Sequence, residues 1–191
     1  MAGGKKNARR RQAWIFFPDE SGVPQRPSVR RTWAPKGQTP VLIHAFNGSK
    51  VSVCAALGYR GEGRHSRLYF QTREGSYNSE ALIRFLEDLK KELGGRKAVR
   101  IWDGLPAHKS KVMQEYLLHQ RLWLTVERLP GYALDLNPVE TLWGNIKGQE
   151  LANRYAEYLT EVASAIRRGM HRVRRSGKLP FSFLQHAGPS F

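Results

Sequence analysis

Residues 98–110 read AVRIWDGLPAHKS, and this stretch decides the fold that the sequence predicts. Its first five residues form a short, mostly apolar run typical of a buried strand, and Asp103 follows directly. Downstream, the patterns predict a helix over 110–120, a strand over 122–129 and a helix over 138–151. Upstream, residues 78–93 place five apolar side chains on one helical face: Leu82, Phe85, Leu86, Leu89 and Leu93. The second half of the chain therefore alternates helix and strand, as in a sheet that is covered by helices.

The first half of the chain predicts strands joined in hairpin succession. Runs rich in β-formers occur at 14–17, 41–46, 51–59 and 67–72, and Asn47, Gly48 and Ser49 give a hairpin signal between the second and third. Pro18 is expected to end the first strand, and the Gly- and Pro-rich residues 21–40 are expected to form a loop with one short strand at 31–34. Hairpins followed by helix–strand alternation predict an α/β fold with a mixed sheet flanked by helices.

Composition divides the chain into three parts. Residues 1–12 form a basic arm that we expect to be flexible, and residues 13–176 form the predicted domain. Residues 160–175 predict a helix, whereas residues 177–191 show no clear period and are expected to be a C-terminal tail.

Cys54 is the only cysteine, which excludes a disulfide within the chain and a zinc site built on several cysteines. The chain contains no apolar run of 18 residues, so no membrane span is predicted, and we expect a cytoplasmic protein.

The charge of the chain favours nucleic acid as a partner. Lys and Arg number 32 and Asp and Glu number 16, which gives a formal net charge of +16 at pH 7. A field of this sign attracts phosphate polyanions. The predicted DNA contacts lie near a helix start and on the helix at 160–175; they are Lys109, Lys111, Arg167, Arg168, Arg172, Arg174 and Arg175. A solvated basic helix face is the alternative for the arginines.

Three acidic residues stand at predicted element ends. Asp19 follows the first strand, Asp103 follows the run 98–102, and Glu140 lies in the first turn of the helix that begins at Pro138. Taken singly, the two aspartates could be turn residues and Glu140 could belong to a capping box. Taken together, three close carboxylates repel one another unless a cation lies between them. Mg²⁺ prefers such oxygen ligands, and two ions about 4 Å apart suit an in-line phosphodiester displacement.

Four segments resemble the mariner-like transposases and their bacterial insertion-sequence relatives, which carry a DDE endonuclease domain. They are DES at 19–21, RTWAPKG at 31–37, WDGLPAHKS at 102–110 and LPGYALDLNPVETLW at 129–143, and the resemblance runs from about residue 12 to about residue 175. It implies a ribonuclease-H-like fold in which Asp19, Asp103 and Glu140 bind two Mg²⁺ ions, with Mn²⁺ as a substitute. It also implies cleavage of phosphodiester bonds at transposon ends and joining of the 3′-hydroxyl ends to target DNA. A homodimer on DNA, in the bacterial cytoplasm and associated with the nucleoid, is expected on the same ground.

Two departures from the family pattern leave an alternative open. Gly104 stands where the family usually has Asn, and only the basic arm precedes the first strand, where full-length relatives carry helix-turn-helix modules. We expect a catalytic half whose helix-turn-helix is encoded in a separate reading frame. The alternative is an inactive or domesticated remnant that binds DNA without cutting it. A ribonuclease acting on RNA–DNA hybrids is a third hypothesis. For His108 we expect a structural or DNA-side contact in preference to acid–base catalysis.

Overall fold

The computed structural model describes residues 13–26, 28–41, 48–60, 62–102, 106–128 and 136–188. Five strands and six helices form this part of the chain. In chain order they are β1 (Trp14–Pro24), β2 (Lys50–Arg60), β3 (Ser66–Glu74), α1 (Ser79–Glu92), β4 (Ala98–Trp102), α2 (Pro106–Lys109), α3 (Lys111–His119), β5 (Leu124–Arg128), α4 (Pro138–Gln149), α5 (Leu159–Arg175) and α6 (Leu179–His186).

The strands form one mixed sheet in the order β3-β2-β1-β4-β5. The β1–β2 and β2–β3 pairs are antiparallel, whereas β1–β4 and β4–β5 are parallel. The three parallel strands therefore end at the same edge of the sheet, which we call the carboxyl edge. This topology confirms the predicted mixed sheet with helices on its faces.

The strand β1 runs past Pro18, where the sequence predicted its end. The amide of Trp14 donates to the carbonyl oxygen of Lys97 at 2.9 Å, so alternate residues of β1 turn their backbone groups toward β4. The paired register with β4 ends at Phe16, and Pro18 is the next residue of that set. Its missing N–H therefore costs no ladder bond. Beyond this point β1 pairs, within the described residues, only with β2 as far as Pro24, so a proline is tolerated inside an 11-residue strand.

Helices cover both faces of the sheet, and the alternation of side chains in β1 assigns each face. Ile15 and Phe17 belong to a core cluster that also contains side chains of α4, α5 and α6. Trp14 and Phe16 belong to a second cluster with side chains of α1 and α3. We call these the α4 face and the α1 face. Because neighbouring residues of a strand point to opposite faces, Asp19 and Glu20 are expected on different sides of the sheet.

The structure differs from the prediction in the last 15 residues. Leu179–His186 forms helix α6, whose Phe183 and Leu184 are buried in the core of the α4 face. The hydroxyl of Tyr59 in β2 donates to the carbonyl of Pro180 at 2.6 Å and fastens this helix to the sheet. The segment predicted as a tail is therefore packed on the domain as far as it is described.

Smaller differences lie in the loops. Residues 31–34 are irregular, not a strand, and the side chain of Trp33 is fully exposed. The short helix α2 was not predicted. The predicted strand at 41–46 lies outside the described residues except for Val41. The basic arm at 1–12 lies entirely outside them. None of the helices described is both long and apolar enough to cross a membrane.

Candidate active site

Asp19 is a buried acid in the middle of the sheet. It lies in β1 and is only 8% exposed, and its Oδ2 accepts a hydrogen bond of 2.7 Å from the indole Nε1 of Trp143 in α4. Burial raises the pKa of Asp19 to about 7; the Trp143 bond lowers it, and the charges of Glu20 and Glu140 raise it further. A carboxyl group placed in this way gains from a nearby cation, because burial disfavours its charged form.

Glu140 comes near Asp19 through the first turn of α4. Asn137 caps this helix by accepting a hydrogen bond of 3.2 Å from the amide of Val139, and Pro138 occupies the first turn, as the sequence predicts. Glu140 is exposed and precedes Trp143 by three residues, so both lie on one side of the helix. The helix that holds Asp19 through Trp143 therefore also carries Glu140, whose charge acts on Asp19.

Asp103 lies outside the described residues. The sequence places Asp103 directly after Trp102, which is the last residue of β4, a parallel neighbour of β1. Within the described ranges, no three His, Cys, Asp or Glu side chains form a group that could hold a metal ion. Of the three predicted acids, the described part of the chain brings together Asp19 and Glu140.

Glu20 takes part in a stack on the opposite face of the sheet. Its carboxylate lies 3.2 Å (Oε2) and 3.3 Å (Oε1) from Nε2 of His108 in α2. The His108 ring stacks on Trp102, with centroids 3.5 Å apart and planes 29° apart. The guanidinium carbon of Arg100 lies 3.3 Å from the Trp102 ring centroid on β4. We call these four residues, Glu20, His108, Trp102 and Arg100, the α1-face stack.

The basic residues predicted to bind DNA occupy two places. Lys109 and Lys111 are exposed where α2 ends and α3 begins, next to His108. The arginines lie on α5, which packs against β3 on the α4 face. Three of them contact other parts of the chain. Arg167 donates to Thr72 Oγ1, Arg172 donates to Glu150 and Asn145, and Arg174 donates to the carbonyl of Leu68.

The two remaining arginines of the predicted set, Arg168 and Arg175, are exposed. The strand register gives the level of α5 on the sheet. Thr72, which Arg167 contacts, aligns through β2 with Ser21, two residues beyond Asp19. The arginine row therefore starts near the level of Asp19, two strands away from it.

Reasoning from the sequence does not identify two contacts of the candidate site. The ring nitrogen of Trp143, a buried residue of the core, donates to Asp19. The carboxylate of Glu20 meets His108. The signal for Trp143 was its spacing of three residues from Glu140, which puts both on one side of a helix. No local signal pairs Glu20 with His108, since 88 residues separate them.

A sheet of this order, with a buried acid in its central strand and a second acid at a helix start beside it, defines a ribonuclease-H-like domain with a carboxylate site. Residues 14–163 match the family model of the DDE superfamily endonucleases, and the chain belongs to that family. The fold and the family expected from the four sequence segments are confirmed. No curated protein sequence matches the chain.

Solved structures share the fold at low sequence identity. A mariner Mos1 paired-end complex with Mg matches with a TM-score of 0.60 and 15% identity, over 98% of this chain and 60% of that one. The Mos1 transposase catalytic domain with raltegravir and Mn matches with a TM-score of 0.55 and 14% identity, over 100% of this chain and 92% of that one. A simian T-cell lymphotropic virus intasome matches with a TM-score of 0.52 and 13% identity, over 84% of this chain and 48% of that one. The chain thus spans about three-fifths of the length of the first of these transposases.

Proposed function

We propose that this DDE-family domain cuts DNA phosphodiester bonds at transposon ends and joins the freed 3′-hydroxyl ends to target DNA. The observation that carries the proposal is the buried carboxyl group of Asp19, which lies beside Glu140 at the start of α4. A basic chain with a net charge of +16 provides the matching attraction for DNA. The Mos1 transposase structures, which share the fold, support the same chemistry.

The residues fit a site for two Mg²⁺ ions, for which Mn²⁺ would substitute. Asp19 and Glu140 supply hard oxygen ligands, and Asp103 would supply the third carboxylate. Burial raises the pKa of Asp19, and a nearby cation would favour the charged form of such a carboxyl group. When bound, such ions polarise the attacking and leaving oxygens of an in-line displacement.

Neighbouring residues of the chain hold the carboxylates of Asp19 and Glu140 in place. The Trp143 indole fixes one carboxylate oxygen of Asp19, Oδ2, through its hydrogen bond. Asn137 and Pro138 set the first turn of α4, so Glu140 is held on a capped helix and not on a loop. Among the described residues, the paired register of β1 with β4 ends at Phe16, three residues before Asp19.

The DNA would lie along exposed Lys and Arg side chains on both faces of the sheet. We assign phosphate contacts near the site to Lys109 and Lys111, and more distant contacts to Arg167, Arg168 and Arg175. Arg172 and Arg174 are partly engaged within the chain, so their share in binding is smaller. Action as a homodimer on paired ends, with a helix-turn-helix from a separate reading frame, belongs to the same proposal.

The test is nicking of supercoiled plasmid with Mg²⁺ or Mn²⁺ by the wild type and by Asp19→Asn, Asp103→Asn and Glu140→Gln. Each substitution keeps the size of the side chain and removes one charged ligand. Glu115→Gln, at an exposed position of α3, is the matched control. We expect the three site variants to lose metal-dependent nicking and the control to retain it. Nicking that survives all three would exclude the site, and DNA binding without nicking by the wild type would favour the inactive remnant.

A further inference from the structure

The α1-face stack joins three elements that meet at the carboxyl edge. Glu20 belongs to β1, Trp102 to β4 and His108 to α2. His108 is buried at 7% exposure and Trp102 at 2%, so the contacts between these rings exclude water. A contact of this kind in a low-dielectric place is stronger than the same contact on the surface.

Burial of Arg100 in this stack has a cost in free energy that packing alone does not require. Its side chain is 1% exposed, and its Nε and Nη1 have no hydrogen-bond partner among the described residues. A buried cation without such partners is disfavoured, and an apolar side chain of similar size would pack there at lower cost. Its guanidinium instead lies against the ring of Trp102, on which His108 also stacks. The Trp102 ring is therefore contacted by one cation, the Arg100 guanidinium, and by one aromatic ring, that of His108.

The stack lies directly behind the proposed metal site. Glu20 is the residue after Asp19 and points to the other face, and Trp102 is the residue before Asp103 in the sequence. Among the described residues, the paired register of β1 and β4 stops at Phe16 and does not reach these strand ends. The contact from Glu20 to His108, and from His108 to Trp102, bridges β1 and β4 beyond that point.

We propose that Glu20 and His108 are positioning residues that hold the ends of β1 and β4 in a fixed relation for binding of divalent metal. This inference rests on the proposed function, since it concerns the same metal site seen from behind. His108 then has a positioning role instead of a role in acid–base catalysis, because its ring lies between Trp102 and the carboxylate of Glu20. Partners of metal ligands commonly change metal affinity or activity by about 10–100-fold when they are removed.

The experiment measures Mn²⁺ affinity by titration calorimetry on the whole chain without DNA, so the readout is independent of cleavage. The variants are His108→Ala, Glu20→Ala, the double variant and Asp19→Asn, with His171→Ala as the matched control. His171 is an exposed histidine on α5 whose ring meets Phe70, away from β4. We expect each single variant to raise the Kd for Mn²⁺ about tenfold, and the double variant to add little, since the two residues act as one unit.

Wild-type affinity in His108→Ala, or additive losses in the double variant, would overturn the inference. A lower melting temperature with unchanged Mn²⁺ affinity would also overturn it, because that is the result of packing alone. If His108→Ala does not fold by circular dichroism, Glu20→Gln replaces it, since this change keeps shape and removes the charge. Asp19→Asn separates the two proposals: if it binds Mn²⁺ as the wild type does, the metal site itself fails, whatever His108 does.

Discussion

The indole N–H of Trp143 donates to Oδ2 of Asp19 across 2.7 Å, and this bond joins helix α4 to the central strand β1. The bond favours the charged form of this carboxyl group and lowers its pKa, but desolvation by burial is the larger effect and raises the pKa of Asp19 to about 7. Both residues are buried, at 4% exposure for Trp143 and 8% for Asp19. The stability of the protein and its affinity for metal should therefore both depend on this pair.

The metal-free protein is expected to lose stability as the pH rises from about 4 to about 7. In that window folded Asp19, with a pKa of about 7, keeps a proton that the unfolded chain has released at its ordinary pKa of 3.8. The unfolded state then binds fewer protons, so the free energy of unfolding falls with pH, by an amount of the order of 4 kcal/mol. Asp19→Asn removes this contribution and should be more stable than the wild type at pH 8.

Urea unfolding in a chelating buffer between pH 4.5 and 8 measures this effect. The informative quantity is the difference between wild type and Asp19→Asn at each pH, because other titrations cancel in it. Glu115→Gln, on the surface of α3, controls for the loss of one negative charge. An Asp19→Asn protein less stable than the wild type at pH 8 would contradict the burial argument.

Trp143→Phe is expected to weaken binding of divalent metal and to shift its pH dependence upward. The change keeps an aromatic ring but leaves Oδ2 of Asp19 without its donor, which costs about 1–3 kcal/mol for a buried polar group and more for a charged one. The pKa of Asp19 then rises above its present value of about 7, so a higher pH is needed to free the carboxylate for metal. Mn²⁺ titrations at several pH values measure both effects.

Trp123→Phe is the matched control for this experiment. The indole of Trp123 also donates a side-chain hydrogen bond, to Gln120 Oε1 at 2.8 Å, and its ring is 6% exposed. Loss of that bond should affect stability but not Mn²⁺ affinity. Equal Mn²⁺ affinities for wild type and Trp143→Phe at every pH would show that the bond does not serve the site.

The close packing of β2 on β1 predicts a severe effect of Gly58→Ala. A Cβ atom at Gly58 would lie 2.2 Å from Cε1 of Phe16, whose side chain is fully buried. Since Phe16 cannot move without disturbing the core of the α1 face, we expect a loss of about 1–3 kcal/mol in the free energy of unfolding. Gly22→Ala is the control, because a Cβ there meets only the flexible Lys50 side chain at 3.4 Å. Equal stabilities of the two variants by urea unfolding would refute the argument.

Local patterns in the sequence predict most of the elements and the place of Glu140, whereas Asp19 lies inside β1 and not beyond the end of this strand. Asn137 and Pro138 mark the start of α4, and the structure places Glu140 in its first turn. Helix α6 could also be predicted from the sequence, because its apolar residues follow a helical spacing: Pro180, Phe183, Leu184 and Ala187. It was missed because the run is only eight residues long and contains a proline.

Contacts between distant parts of the chain were beyond sequence reasoning. Pro18 is a strand breaker by local rules, and only the end of β1–β4 pairing at Phe16 explains why it is accepted. The bond from Trp143 to Asp19 spans 124 residues, and the contact from His108 to Glu20 spans 88. Such pairs depend on sheet order and on which face each residue takes, and neither is encoded locally.

The arginines of α5 are expected to differ in their effect on DNA binding. Arg168 and Arg175 are exposed, whereas Arg172 lies 2.9 Å from Glu150 and also donates to Asn145. Replacing both exposed arginines by Gln should weaken binding to duplex DNA of any sequence and reduce the slope of log K against log salt by about 1.8, or about 0.9 for each contact. Arg172→Gln should instead lower stability, because Glu150 loses its partner.

Fluorescence anisotropy with a labelled duplex at several salt concentrations measures the slope. Arg96→Gln is the matched control: this exposed arginine lies just before β4, at the end of the sheet opposite the carboxyl edge. An equal change in slope for Arg96→Gln and for either exposed α5 arginine would mean that binding follows net charge alone. A smaller slope confined to the α5 variants would place the DNA along this helix, on the same face of the sheet as Asp19.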